Sequence, residues 1–177
     1  MTELCIRDVR DSDITAITRI YADAVAHGTA SFELKPPDEA EMARRKAVLI
    51  AEGFPYLVAE HAGTVAAYAY AGPYRDRPAY NWCVEDSIYV APAFHRQGIG
   101  RALLERLIVE SEALGFRQMI GVIGDTANIG SVAVHAAAGF RLIGTFQSIG
   151  FKHGRWLDTV LMQRVLGKGD GTPPRIS

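Results

Sequence analysis

The chain has 177 residues, 49% of them hydrophobic, so it can bury one ordinary core, and its length suits a single domain. Nineteen Lys and Arg against twenty Asp and Glu leave a formal charge of -1, which excludes a global field drawing the protein to nucleic acid or anionic lipid. Cys5 and Cys83 are too few for a disulfide scaffold or a cysteine zinc site, no metal site is expected, and the pair suits a reducing cytosol.

The start, MTELCIRDVRDSD, lacks the apolar run of a secretory signal, and no later stretch is long enough to span a bilayer. A cytoplasmic protein is expected. LCIRDV alternates as a strand does, and Asp11 or Ser12 is placed to cap a helix carrying Ile14, Ile17, Ile20 and Ala24 at helical spacing. TASFELKPP reads as loop, and DEAEMARRKAVLIAEG as a second helix with acids in its first turn and Gly53 at its end. PYLVAE and TVAAYAYA form a hairpin about HAG. GPYRDRPAYN is a polar and aromatic loop, WCVEDSIYV a strand, and Ile99 to Leu114 a helix stopped by Gly115, with Leu103, Leu104, Leu107 and Ile108 inward. RQMIGVI is another strand, DTANIGSVAVHAAAG a loop and short helix, and FRLIGTFQSIGFKHGRWLDTVLMQRV two strands about a glycine-rich turn. The order of elements predicts one mixed α/β domain over residues 1–166, and LGKGDGTPPRIS, within 167–177, a flexible tail.

In HRQGIGRALLERL two glycines open a helix directly after a strand. Unpaired amides at a helix N-terminus attract anions, and glycines let the backbone approach closely, so Gly98 and Gly100, reinforced by Arg96 and Arg101, can cradle a phosphate. The third glycine of the dinucleotide fingerprint and the Gly-Lys-Ser/Thr of the P-loop are both missing. By itself the turn reads equally as the start of a surface helix with solvated arginines.

The stretch SIYVAPAFHRQGIGRALLERLIVESEALGF resembles the coenzyme-A-binding segment of the GNAT superfamily of acetyltransferases, and DTANIGSVAVHAAAGF resembles that family's following loop, helix and Gly-Phe exit. The resemblance covers nearly the whole chain. It implies a single-domain α+β fold with a mixed, mostly antiparallel sheet of six to seven strands and helices on both faces. It also implies acetyl-CoA as cosubstrate, held by Ile88, Tyr89, Val90, His95, Arg96, Gln97, Gly98, Ile99, Gly100, Arg101 and Asn128, and a homodimer. His95 stands where the family usually has Arg or Gln. AGPYRDRPAYNWCVEDSIYV and GFKHGRWLDTVLMQ resemble, more narrowly, the phosphinothricin and methionine sulfone or sulfoximine N-acetyltransferases.

Acetylating an amine requires a neutral nitrogen, so a site working near neutral pH needs a proton acceptor. Glu85 shares a strand face with Cys83, Ser87 and Tyr89 by twofold alternation, and Asp86 points the other way unless a bulge intervenes. From spacing alone Glu85 is more readily a solvated or salt-bridged strand carboxylate. The resemblance makes it the base and Asp86 the second choice, with the bulge expected where the strand splays open. The resemblance also implies Val90 N–H as donor to the developing oxyanion and His135 as proton donor to the leaving thiolate. As residues, His135 could equally be a helix-face histidine and Asn128 a helix cap. Arg75 and Arg77, with Asp76 between them, could grip an acceptor carboxylate, and Phe32, Tyr74 and Tyr80 could wall the pocket, with Asp86 and Ser87 beside Glu85 in the acceptor site. The same residues also fit a solvated loop. The expected activity is acetyl transfer to a small amino-acid-like amine. A non-catalytic acyl-CoA sensor and transferases for polyamines, aminoglycosides or protein N-termini are the alternatives.

Overall fold

A computed structural model describes residues 4–174. Strand β1 (Leu4–Asp8) leads through a short 3-10 turn into helix α1 (Ile14–His27), and helix α2 (Glu39–Ala51) follows. Strands β2 (Tyr56–His61), β3 (Thr64–Pro73) and β4 (Cys83–Val90) precede helix α3 (Ile99–Ala113), strand β5 (Gln118–Gly124) and helix α4 (Ile129–Ala137). Strands β6 (Arg141–Lys152) and β7 (Arg155–Val165) close the chain. The seven strands form one sheet in the order β1-β2-β3-β4-β5-β7-β6, antiparallel throughout except where β4 and β5 run parallel. That parallel pair is joined by α3, as a crossover must be.

Twofold alternation divides the buried strands between two cores. Leu57 and Ala59 of β2 face α3, where Leu103, Leu104 and Leu107 are fully buried. Tyr56 and Val58 face the opposite layer, with Ile17, Ile20 and Val25 of α1 and Met42 of α2. Helices therefore cover both faces. The β2–β3 hairpin turns on Ala62 and Gly63, both at positive φ, as a two-residue turn matching strand twist demands.

The helix starts depart from expectation in one place. Asp38 caps α2 by accepting from Glu41 N–H at 2.9 Å, whereas neither Asp11 nor Ser12 caps α1. Asp11 pairs instead with the buried Lys46 of α2, and Asp13 accepts from Arg10 N–H and binds Arg7. A charge partner on another element outcompeted the local cap. Of the expected flexible tail, residues 175–177 lie outside the described residues. Arg117 donates to the carbonyls of Gly169 and Pro173 and to the Thr172 hydroxyl. Among the described residues no helix is long and apolar enough to cross a membrane.

Candidate active site

β4 is the strand on which the site is built. It pairs with β3 in unbroken register from Val84 to Val90, so the expected bulge is absent. The opening arises on the other side, where β4 pairs with β5 only from Cys83 to Asp86. Beyond the Asp86–Gly121 pair the two parallel strands part, although β5 stays paired with β7 as far as Gly124. Strand divergence alone opens the gap. Because Ala91 N–H donates to Ala66 O on the β3 side, backbone alternation turns the N–H groups of Ile88 and Val90 toward the gap.

The gap is a narrow cleft of ≈ 90 Å³ whose lining includes Glu85, Asp86, Ser87, Asn128, Ser131 and His135. A larger cleft of ≈ 370 Å³ lies on the α2 side of the sheet, between Arg44, Arg45, Val48 and Leu49 of α2 and Tyr70, Gly72, Pro73, Glu85 and Ser87 of β3 and β4. Glu85 and Ser87 line both. Burial, then the neighbouring Asp86 charge, push the Glu85 carboxyl up to about 7, partly opposed by Arg75. A carboxylate so poised loses and regains a proton near neutral pH, which suits a general base.

Asp86 points to the opposite face of β4, as alternation requires, and there it meets His135 of α4. The separation from His135 Nε2 to Asp86 Oδ2 is 2.9 Å, and His135 Nδ1 lies 2.7 Å from Ser131 O. Both residues are buried, at 6% and 4% exposure. Burial depresses the His135 pKa, but the Asp86 hydrogen bond and charge outweigh it, so the net displacement is upward. Gly121 makes room for the pair, since a Cβ there would stand 2.8 Å from His135 Cδ2. Gly121 and Ser131 carry no sequence signal for this role, because both act on a residue brought close only by tertiary folding. Both His135 nitrogens are engaged, leaving neither free to face a ligand.

At the far end of β4, Gly98 begins α3 at φ +79 with no side chain capping the helix. That left-handed backbone is open to glycine at little cost. The first-turn amides of α3 lack any side-chain acceptor among the described residues, so the residues present fit a bound diphosphate. Arg96 also takes positive φ, and His95, Arg96 and Gln97 are exposed around the turn. His95 Nε2 donates to Val90 O at 2.9 Å, tying the turn to the end of β4. Ile99 is buried, and a Cβ on Gly100 would lie 3.4 Å from Val90 Cγ2, so the helix start sits close on the strand. Arg101 pairs with Glu105 one turn on. Asn128 caps α4, accepting from Ser131 N–H at 3.3 Å, and lines the gap as well. Tyr89 also lines the gap and packs edge-on against Tyr21.

The other predicted acceptor residues are more dispersed. Arg75 lies over the Tyr74 ring, Arg77 donates to Asp76 O, and Tyr74 meets Tyr80 edge-on. Arg75, Asp76 and Arg77 are exposed and line neither cleft, although the Arg75 charge reaches Glu85. Phe32 lies against the bare backbone of Gly124 and Gly150, where a Cβ would collide with its ring. The lining by Arg44, Arg45 and Leu49 escaped the sequence reading, because helical period marks one face as polar without saying what it overlooks. Arg45 is already held by Glu33 and Glu41.

This arrangement has close counterparts. The model of the Acetyltransferase (GNAT) family matches residues 14–140. A phosphinothricin N-acetyltransferase of Alcaligenes faecalis is 53% identical over 169 residues, covering 96% of this chain and 86% of that protein. An L-methionine sulfoximine/L-methionine sulfone acetyltransferase of Salmonella typhimurium is 36% identical, over 90% of this chain and 93% of its own. The crystal structure of a GNAT superfamily phosphinothricin acetyltransferase from Sinorhizobium meliloti, in complex with AcCoA, superimposes with a TM-score of 0.94 at 49% identity, over 97% of this chain and 93% of that one. The parted β4 and β5, the uncapped glycine turn of α3 and these likenesses over nearly the full length have one reading: the chain belongs to the GNAT family of acetyltransferases.

Proposed function

We propose that the protein transfers the acetyl group of acetyl-CoA directly to the amino group of a small amino acid of the phosphinothricin, methionine sulfone or methionine sulfoximine type, with Glu85 as general base. The observation that carries this reading is that Glu85 lines both the gap between β4 and β5 and the larger α2-side cleft. When bound, acetyl-CoA supplies the activated acetyl group. The α3 turn from Gly98 to Arg101 holds its diphosphate, with His95, Arg96, Gln97 and Asn128 around the nucleotide and its arm, and Ile88, Tyr89 and Val90 form the strand along which the arm lies. Val90 N–H is the donor placed for charge developing on the carbonyl oxygen.

Glu85 takes the proton that the amine must lose, and a carboxyl poised near 7 is ionised for part of the enzyme population at neutral pH. Ser87 lies beside it on the same face. Arg75 and Arg77, with Asp76 and Phe32, are the acceptor-side residues suited to a carboxylate and an apolar stem. The relatives named for phosphinothricin and for methionine sulfoximine or sulfone support this acceptor class.

The protein works as a cytoplasmic homodimer in this proposal. Supporting the dimer, edge strand β6 and the start of β7 expose Leu142, Ile143, Phe146, Ile149, Phe151 and Trp156, with Phe146 half exposed at 50% and Trp156 at 63%. Such an edge is unfavourable in water and invites a second copy.

A thiol-release assay with phosphinothricin, methionine sulfone, methionine sulfoximine and common amino acids tests the reading. Acetylation of the tetrahedral sulfur or phosphorus compounds above the ordinary amino acids is expected. Coenzyme A release with none of them, while acetyl-CoA still binds, would overturn the acceptor class.

A further inference from the structure

Asp86 contains an unexplained atom. Its Oδ2 lies 2.9 Å from His135 Nε2, yet its Oδ1 is buried and has no hydrogen-bond partner. A carboxylate oxygen shut away from water without a donor is unfavourable unless something supplies one. The groups around it offer little. From α4 comes His135, already spent on Oδ2 and Ser131 O; Asn128 and Ser131 line the same cleft but neither donates to Oδ1; and Glu85, next along β4, lines the cleft from the other face of the strand and carries no donor when ionised.

The ring's protons are fixed by its partners. A carbonyl only accepts, so Nδ1 donates to Ser131 O, while Nε2 is taken up by Asp86 Oδ2. Neither ring nitrogen is left over for a ligand. The part of His135 is that of a positioning residue, holding the Asp86 carboxylate in one orientation.

That orientation places Oδ1 where the strands part. Asp86 opposes Gly121 in the last β4–β5 pair, a Cβ on Gly121 would lie 3.5 Å from Oδ1, and the cleft lined by Asp86 begins there. A thioester arm that starts at the α3 turn and follows β4 past Val90 and Ile88 ends at this apex, and its terminal heavy atom after transfer is a thiol sulfur. We propose that Asp86 Oδ1 is the acceptor for the S–H of product coenzyme A, with His135 orienting the carboxylate: as the C–S bond breaks, the departing sulfur takes the proton that the newly acylated nitrogen sheds, and the resulting thiol donates to Oδ1. The inference rests on the placement of the cosubstrate in the gap proposed above.

The test is made on binding. Coenzyme A is compared by calorimetry with desulfo-coenzyme A, in which hydrogen replaces the thiol, and the thiol of bound coenzyme A is titrated by its thiolate absorbance. In the unaltered protein coenzyme A should bind about three- to tenfold more tightly than the desulfo compound, the range of one hydrogen bond. A carboxylate beside the sulfur disfavours the thiolate, so the bound thiol should need roughly tenfold less acid than free coenzyme A before it ionises. Asp86→Asn keeps an oxygen for His135 and turns an amide N–H toward the sulfur, so in that variant the affinity ratio should fall below about twofold and ionisation should return to or below the pH of free coenzyme A. Equal binding of the two nucleotides by the unaltered protein overturns the proposal even if the variant does not fold. Identical thiol titrations in protein and variant also overturn it, leaving the cosubstrate placement standing. Failure of the unaltered protein to bind coenzyme A at all overturns that placement too.

Discussion

Replacing Glu85 by Gln tests the reaction and the fold at once, because Gln keeps the shape and removes the titration. Glu85 is displaced from its ordinary 4.5 to about 7, chiefly by burial, and the displacement corresponds to about 3 kcal/mol of preference for the protonated form in the folded protein. For a carboxyl whose folded pKa is raised, the favourable contribution is fully present below the unfolded pKa and is lost as pH rises through the folded one. The unaltered protein should therefore lose stability relative to Glu85→Gln between about pH 4.5 and 7, with little further change above about pH 8. Urea denaturation at pH 4 and at pH 8.5 should show the variant about equal in stability at the first pH and up to about 3 kcal/mol more stable at the second. Steady-state kinetics should show the acidic limb of kcat/KM near pH 7 flattened, and kcat lower by roughly a hundredfold or more, the usual contribution of a positioned general base. A stability difference independent of pH would refute the burial argument. An unchanged pH profile with undiminished turnover would remove Glu85 from the reaction.

Gly98 and Gly63 have similar left-handed backbones, at φ +79 and +75, and a Cβ at either meets no atom within 4 Å. Valine at either should cost about 1–2 kcal/mol of backbone strain and lower the Tm by a few degrees, but only Gly98→Val should raise the acetyl-CoA Kd, by about tenfold or more. Equal acetyl-CoA affinity in the two variants would show that the α3 turn does not hold the diphosphate. At the β6 edge, Phe146→Asp combined with Trp156→Asp should convert a dimer to a monomer in sedimentation while changing the monomer's own stability by only about 0.5 kcal/mol, since both side chains are exposed. An unaltered protein that sediments as a monomer at tens of micromolar would defeat the dimer reading.

Local rules made much of this protein legible. A glycine pair between an apolar strand and an amphipathic helix is a short-range pattern, and Gly98 does take the left-handed conformation that only such a residue adopts easily. Twofold alternation placed Glu85 and Asp86 on opposite faces of β4, and an unbroken register with β3 preserved that alternation. The hairpin at Ala62–Gly63 and the periodic helices α1, α2 and α3 follow from the same short-range physics.

What joins distant segments lay beyond those rules. The expected bulge in β4 was unnecessary because β5 diverges instead, and divergence depends on which neighbour β5 follows, here β7. His135 and Asp86 are 49 residues apart, and their pairing needs the absence of a side chain at Gly121, a third element. The two clefts meet at Glu85 because α2 covers one face of the sheet while a strand gap opens on its flank. Backbone conformation and face assignment arise from forces within a few residues and can be read along a line. The titration of Glu85, the engagement of both His135 nitrogens and the orphaned oxygen of Asp86 arise from burial and charge contributed by segments remote in sequence, and only the packed tertiary structure sets those.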